Sequence, residues 1–434
     1  MTTQQDKKPN RLKSVKIASQ LVDGYWDDLI KAKEQGKLVC YTTGGAVGPF
    51  LAAQDMAWIH GEAYGARVAS RHEEKEPQIV AERRGYNREV CSYARTQIGC
   101  TMLSNLGIPE DLSPGPIASA IPAPDLIVTC YPGCSTGPQW DWSVQRLFKK
   151  KIPWYNVSIP FYHGGNDAYM SGQNYLDQVE HLTQQFEGLV KFLEDVSGRP
   201  FNWDKFREWM AVTKKVAQLR NETMELCKAK PSPASFFDWS ILMSPVNYLS
   251  GWPGTVECME AVKAEVQERV KNNISYLPNE KYRLIFMGIM NWNKIGWLAK
   301  KFASFDACII AGEYTHLGFW NEPDLIDIEN PLEGIAINNL IFLNNLGFPL
   351  QEYRMHKVAR EFAIDGVVMH AARTCRGLVL AQNLHVESFR RKMNISSIMF
   401  EGDMVDESFY QDEIVNTRIE ALIESLDAQK SRNA

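Results

Sequence analysis

The sequence predicts an α/β fold of two doubly wound lobes, Rossmann- or flavodoxin-like, joined by a helical section. Two observations carry this. Short β-branched runs bounded by glycine or proline alternate with helical segments in both halves, and the middle of the chain has a three- and four-residue apolar spacing instead. A third is length, since 434 residues exceed what one core organises. The predicted divisions are a helical arm over 1–36, a first α/β lobe over 37–165, a helical section over 166–280 and a second lobe over 281–434.

In order, the polar N-terminus leads into an amphipathic helix over roughly 12–35. "KLVCYTTGG" then reads as a buried strand ending in a glycine turn, and "FLAAQDMAWIHG" as one helix. "DLIVTC" (Asp125 to Cys130) and "WYNVSIP" (Trp154 to Pro160) are short strands with a helix between them. "YLDQVEHLTQQFEGLVKFLEDVSG" and "KFREWMAVTKKVAQLRNETMELC" are long helices, and "KAKPSPASFFDWS" reads as a loop because of its prolines. Strands resume with "YRLIFMGI", "DACIIAGE", "DGVVMHA" and "ISSIMFEGD", and "NTRIEALIESLDAQ" closes the fold as a helix.

A net charge of −5 with scattered lysines and arginines leaves no electrostatic footprint for nucleic acid or an anionic membrane. No run approaches a spanning helix and no signal peptide is visible, so the expected location is cytoplasmic. Nine cysteines argue for free thiols or metal ligation over a disulfide framework. Twelve tryptophans suit core packing and also a pocket for a flat organic ligand.

Most cysteines have plain surroundings. Cys40 and Cys308 lie in apolar strand runs, Cys227 and Cys258 in helical stretches, and Cys100 is over two helical turns from Cys91. Three stand at the carboxyl ends of strands or the starts of helices: Cys91, Cys130 and Cys375. Ligands gather there in doubly wound folds, and helix N-termini with Arg95, Arg373 and Arg376 nearby would favour thiolates. "CYPGC" (Cys130 to Cys134) is the one close pair, with no second pair to complete a structural zinc site. The spacing leaves an iron–sulfur site with an incomplete cysteine set and a redox pair both open.

"CSYAR", "PDLIVTC", "LIFMGIMNWN", "HAARTC" and above all "IMFEGDMVDES" followed by "NTRIEALIESL" give the chain a resemblance to the 2-hydroxyglutaryl-CoA dehydratase D-component family. That family holds 2-hydroxyacyl-CoA dehydratases and ATP-dependent benzoyl-CoA reductases. Length, tryptophan content and "GWPGTVECMEAV" look most like the larger, substrate-binding subunit of the reductases. The resemblance implies a [4Fe–4S] cluster on Cys91, Cys130 and Cys375, with a double-cubane cluster in some relatives. Cys134 departs from the plainest pattern, as an extra ligand, a substitute for Cys130 or a bystander.

The implied reaction is two-electron dearomatisation of benzoyl-CoA to a cyclohexadiene-carbonyl-CoA in single-electron steps. The alternatives are radical elimination of water from a 2-hydroxyacyl-CoA and a non-catalytic electron-relay or binding role. No G-x-x-x-x-G-K-[ST] phosphate loop is present, so ATP is expected on a partner. The implied partners are a homologous smaller subunit and an ATP-hydrolysing iron–sulfur activator. Proton-donor candidates are Glu313 and His316 in "AGEYTH", and His370 before the Cys375 turn, the last also reading as a packed strand-end histidine. His163 in "PFYHGG" is a similar loop candidate, and "TTGGAVGPF" suggests a tight turn near the thioester.

Overall fold

Among the described residues, eight short strands form two sheets, and continuous burial along Val39–Thr43, Leu126–Cys130, Tyr282–Met287 and Ala307–Gly312 explains their apolar runs, because parallel strands are covered on both faces. The computed structural model describes residues 8–43, 47–163, 170–318 and 321–433. The glycine pair of "TTGGAVGPF", Gly44 and Gly45, lies outside them.

The first sheet contains β1 (Val39–Thr43), β2 (Ala57–His60), β3 (Leu126–Cys130) and β4 (Trp154–Val157), in the order β2-β1-β3-β4. The second contains β5 (Tyr282–Met287), β6 (Ala307–Gly312), β7 (Gly366–Ala372) and β8 (Ser396–Gly402), in the order β6-β5-β7-β8. All pairings are parallel. Both sheets therefore share one winding, and the direction of winding reverses between β1 and β3 and again between β5 and β7. Crevices open at such reversals, beyond the carboxyl ends of the strands.

Between the sheets, the helix Gln173–Ser197 buries a stripe from Tyr175 through Val179, Leu182, Phe186 and Leu189 to Leu193. It is followed by the helix Trp203–Leu226. One apolar core runs through both lobes, and a second lies between β5, β7 and the closing helix Asp412–Asn433, which contributes Val415, Ile419, Leu422 and Leu426.

Two local readings are corrected. "FLAAQDMAWIHG" is not one helix: Gly48–Ala53 is helical, Asp55 takes a left-handed conformation (φ 53°), and Ala57–His60 is β2, in register with Val39–Thr42 of β1. Asparagine and aspartate tolerate that backbone and turn the chain. The end of "KAKPSPASFFDWS" is a helix, Phe236–Ile241, started by a capping box in which Ser235 and Asp238 each bond the other's backbone N–H.

Candidate functional site

The carboxyl ends of both sheets meet at the cleft between the lobes, and three thiols stand there. Cys91 is the N-cap of the helix Ser92–Leu106 and Cys375 the N-cap of Arg376–Val379. Cys134 follows β3 and is held by a hydrogen bond from the Thr136 N–H to its Sγ (3.4 Å). All three are half-buried.

Backbone contacts bring these segments together. The Ser92 N–H donates to Thr374 Oγ1 (3.0 Å), tying the residue after Cys91 to the one before Cys375. Thr374 is fixed in turn by Asp403, whose Oδ2 accepts from its N–H (3.0 Å) and its hydroxyl (2.7 Å). The E-G-D signature thus aims the Cys375 turn: Glu401 also binds Arg373 (2.6 Å). Gly133 has φ 68°, and a Cβ there would stand 1.8 Å from the Asn344 carbonyl, so only glycine lets this loop pass. A Cβ on Gly377 would lie 3.7 Å from the Gly133 carbonyl, which sets the Cys134 loop against the Cys375 turn.

Burial pushes the Cys91 thiol well above its ordinary value, with the first-turn N–H of Ala94 opposing and Cys375 and Cys134 adding to the rise. Burial likewise raises Cys134, and raises Cys375 to about 12. The arginines do not offset this. Arg95 pairs with Glu82 and Asp406, Arg373 with Glu89 and Glu401, and Arg376 is exposed. Without a metal these thiols favour the protonated form, and a bound metal would take the proton's place.

Cys130 is wholly enclosed in the core at the end of β3. Cys40, Cys100, Cys227, Cys258 and Cys308 are also buried.

Near the thiols, none of which lines it, is a cavity of about 290 Å³ walled by both lobes, the N-terminal helix and the helical section. Trp26 from the N-terminal helix, Met243 and Tyr248 from the helical section, and Trp292, Tyr314 and Phe342 from the second lobe line it. The Trp292 indole N–H donates to Tyr93 Oη, and its ring meets that of Tyr314 at 6.2 Å in an edge contact. Glu62, in the first turn after β2, reaches the same cavity. Burial lifts its carboxyl to about 7 against a hydrogen bond from Tyr131 Oη, which lowers it. Its charge is felt at Cys134, Cys375 and Tyr314. His60, also lining the cavity, accepts the Ala63 N–H at Nδ1 (3.3 Å) and is held neutral by burial, its value lowered to about 4.

The expected proton donors lie elsewhere. Glu313 is buried in the π-helical turn Glu313–Gly318 and accepts the Gly288 N–H (2.7 Å). His316 is buried with Nδ1 beside Thr315 Oγ1 (3.0 Å) and burial holds it well below the usual imidazole range. His370 is enclosed, with Nδ1 bonded to the Ile289 carbonyl (2.7 Å) and its ring stacked on Phe400. None of the three lines the cavity. His163 is exposed and packs against Phe161. Glu62 and His60 escape a reading of the sequence because β2 does; a four-residue strand between two helices leaves little signal beyond the turn-forming Asp55.

A two-lobed α/β protein with thiols from three segments beside an aromatic cavity is the class that fold and site define. Residues 50–426 match the family model of the 2-hydroxyglutaryl-CoA dehydratase D-component, and the chain belongs to that family. It is 26% identical over 421 residues to the (R)-2-hydroxyisocaproyl-CoA dehydratase alpha subunit of Clostridioides difficile, covering 96% of this chain and 97% of that protein. It is 27% identical over 413 residues to the lactoyl-CoA dehydratase alpha subunit of Anaerotignum propionicum, covering 92% and 93%. It is 24% identical over 424 residues to a benzoyl-CoA reductase subunit of Thauera aromatica, covering 95% and 94%. Among the described residues, no helix is long and apolar enough to cross a membrane.

Proposed function

We propose that this chain is the substrate- and iron–sulfur-binding subunit of an ATP-dependent aromatic acyl-CoA reductase, acting on benzoyl-CoA. The observation that carries this is the cavity: aromatic walls from the N-terminal helix, the helical section and the second lobe, and a carboxyl near neutrality, Glu62, whose charge is felt at the thiols Cys134 and Cys375 outside it. Addition of two electrons and two protons to the ring gives the cyclohexadiene-carbonyl-CoA.

The donor set fits a [4Fe–4S] cluster held by Cys91, Cys134 and Cys375, with Cys134 in the middle position in place of Cys130. Among the described residues, the three ligand atoms found within 4.8 Å of one another belong to His72, Glu74 and Glu407, not to the thiols. The thiols therefore stand wider apart than one zinc ion, about 2.3 Å from each sulfur, would hold them. The cluster would supply single low-potential electrons with one iron lacking a cysteine ligand.

The chain's own residues do the rest. Trp26, Tyr248, Trp292, Tyr314 and Phe342 enclose the acyl group and exclude water. Glu62, half-protonated near pH 7, delivers a proton to the ring, and Tyr131 Oη orients its carboxyl and stabilises the anion left behind. His60, neutral and bonded to Ala63, shapes the cavity beside it. Electrons and ATP hydrolysis come from an iron–sulfur activator, and a homologous smaller subunit completes the complex.

Dehydration of a 2-hydroxyacyl-CoA is the second reading, favoured by the dehydratase names of the two relatives at 26% and 27% identity. There Glu62 would take a proton from the carbon next to the radical instead of giving one. Stoichiometry separates the two: reduction consumes two electrons per turnover of benzoyl-CoA, whereas dehydration recycles one. A co-purified complex that turns over 2-hydroxyacyl-CoA without net electron consumption, and leaves benzoyl-CoA untouched, overturns the reductase reading.

A further inference from the structure

Away from the thiols, the turn between the helices Gly61–Ser70 and Lys75–Arg83 of the first lobe meets Glu407 of the second. His72, Glu74 and Glu407 there each bring one ligand atom within 4.8 Å of the others. His72 Nδ1 lies 3.9 Å from Glu407 Oε2. Glu407 Oε1 is occupied separately by Lys294 (2.7 Å), which also reaches Asp412 (3.4 Å).

An ordinary ion pair between His72 and Glu407 would leave Glu74 unexplained. Glu74 is only 5% exposed and occupies an N-cap position, yet its side chain caps nothing. Its Oε1 accepts from Asn293 Nδ2 (3.2 Å), while its buried Oε2 has no hydrogen-bond partner in the chain. Asn293 Oδ1, on the amide that contacts Glu74, is likewise buried and unpartnered. Buried polar atoms are ordinarily satisfied, and an orphaned carboxylate oxygen is costlier than an orphaned amide.

We infer that His72, Glu74 and Glu407 form a divalent-cation site that clasps the two lobes. One imidazole and two carboxylates make a nitrogen and oxygen donor set suited to manganese or zinc, unlike the sulfur set in the cleft. The cation would satisfy the buried Glu74 oxygen and offset its repulsion with Glu407. It would join the turn between the two helices of the first lobe to the segment after β8. The adjacent Arg95–Asp406 pair crosses the same boundary. The site stands independently of the acyl-CoA reading.

The test is Mn²⁺ titration of the full-length chain followed by EPR, with thermal melts in parallel. Mn²⁺ disfavours thiolates, so the cleft cysteines do not compete. One saturable Mn²⁺ per chain is expected, with affinity falling at least tenfold in Glu74→Gln, Glu407→Gln and His72→Ala. The same binding should persist in Cys375→Ser, and Mn²⁺ should raise the melting temperature of the wild type but not of His72→Ala. His72 is exposed and packs no core, so its replacement costs no more than the strain of alanine at a left-handed turn position (φ 57°), which makes that variant decisive. Absence of saturable binding, binding indifferent to His72→Ala, or binding lost in Cys375→Ser overturns the inference.

Discussion

Glu62 and Glu313 occupy matching places in the two lobes. Each follows the second strand of a sheet with the same winding, each is pushed by burial to about 7, and each has one strong hydrogen-bond partner. Glu62 takes its hydrogen bond from a side chain, Tyr131, and opens on the cavity. Glu313 takes its bond from the Gly288 backbone and closes the turn after β5. The same position in one architecture opens on a cavity in one lobe and closes a turn in the other. A perturbed carboxyl identifies a site only when a ligand can reach it.

The largest expected break in the symmetry is activity. Glu62→Gln should lower the turnover of the assembled enzyme by about 10²–10⁴-fold, the usual range for a lost general acid or base. Glu313→Gln should change it by less than about threefold, since only a turn is affected. Comparable losses in both variants would erase the difference between the two carboxyls.

A second expected difference is in pH dependence. With Glu62 as the proton donor, the rate should be full below pH 7 and fall about tenfold per unit above it, and Glu62→Gln should lack that limb. Because the Tyr131 hydroxyl holds the carboxyl down, Tyr131→Phe should move the limb to higher pH by about one unit. A limb in the opposite direction would assign Glu62 as the base and favour the dehydratase chemistry.

Glu313 should show itself in stability instead. Its folded value of about 7 exceeds the usual carboxyl value of 4.5, so between those two pH values the folded chain binds more protons than the unfolded one. Stability from this group is therefore full below about pH 4.5, falls as pH rises to 7 and is flat beyond, by roughly 3 kcal/mol in all. Urea unfolding of Glu313→Gln from pH 5 to 8 should lack that fall.

The smallest expected effect concerns the loops. Gly133→Ala, at φ 68° and facing the Asn344 carbonyl, should cost about 1–3 kcal/mol and reduce iron incorporation without abolishing folding. Iron content equal to wild type would show that the loop's approach to the Cys375 turn is dispensable.

The fold was legible wherever a strand was long and β-branched: "LIVTC", "YRLIFM" and "GVVMHAA" are strands where their composition places them. β2 was not, because Ala57–His60 is short, carries a histidine and adjoins helices on both sides. With it went Glu62, whose counterpart Glu313 follows a clearer strand and so stands out in the sequence. Cys91 and Cys375 were legible as helix-capping thiols. Whether Cys130 or Cys134 faces the cleft depends on how the Pro132–Gly133 turn leaves β3, and packing against Asn344 in the other lobe decides that. The expectation that arginines would hold thiolates failed for a similar reason: residues distant in sequence, Asp406 and Glu401, take those charges.

The most direct measurement is iron and sulfide content with EPR, under strict exclusion of oxygen, on the chain co-expressed with its partners and on the Cys91→Ser, Cys130→Ser, Cys134→Ser and Cys375→Ser variants. Loss of the cluster signal in the Cys91, Cys134 and Cys375 variants, with retention in Cys130→Ser, is the predicted result. Retention of the full cluster in Cys134→Ser, or its loss in Cys130→Ser alone, would contradict the three-thiol site.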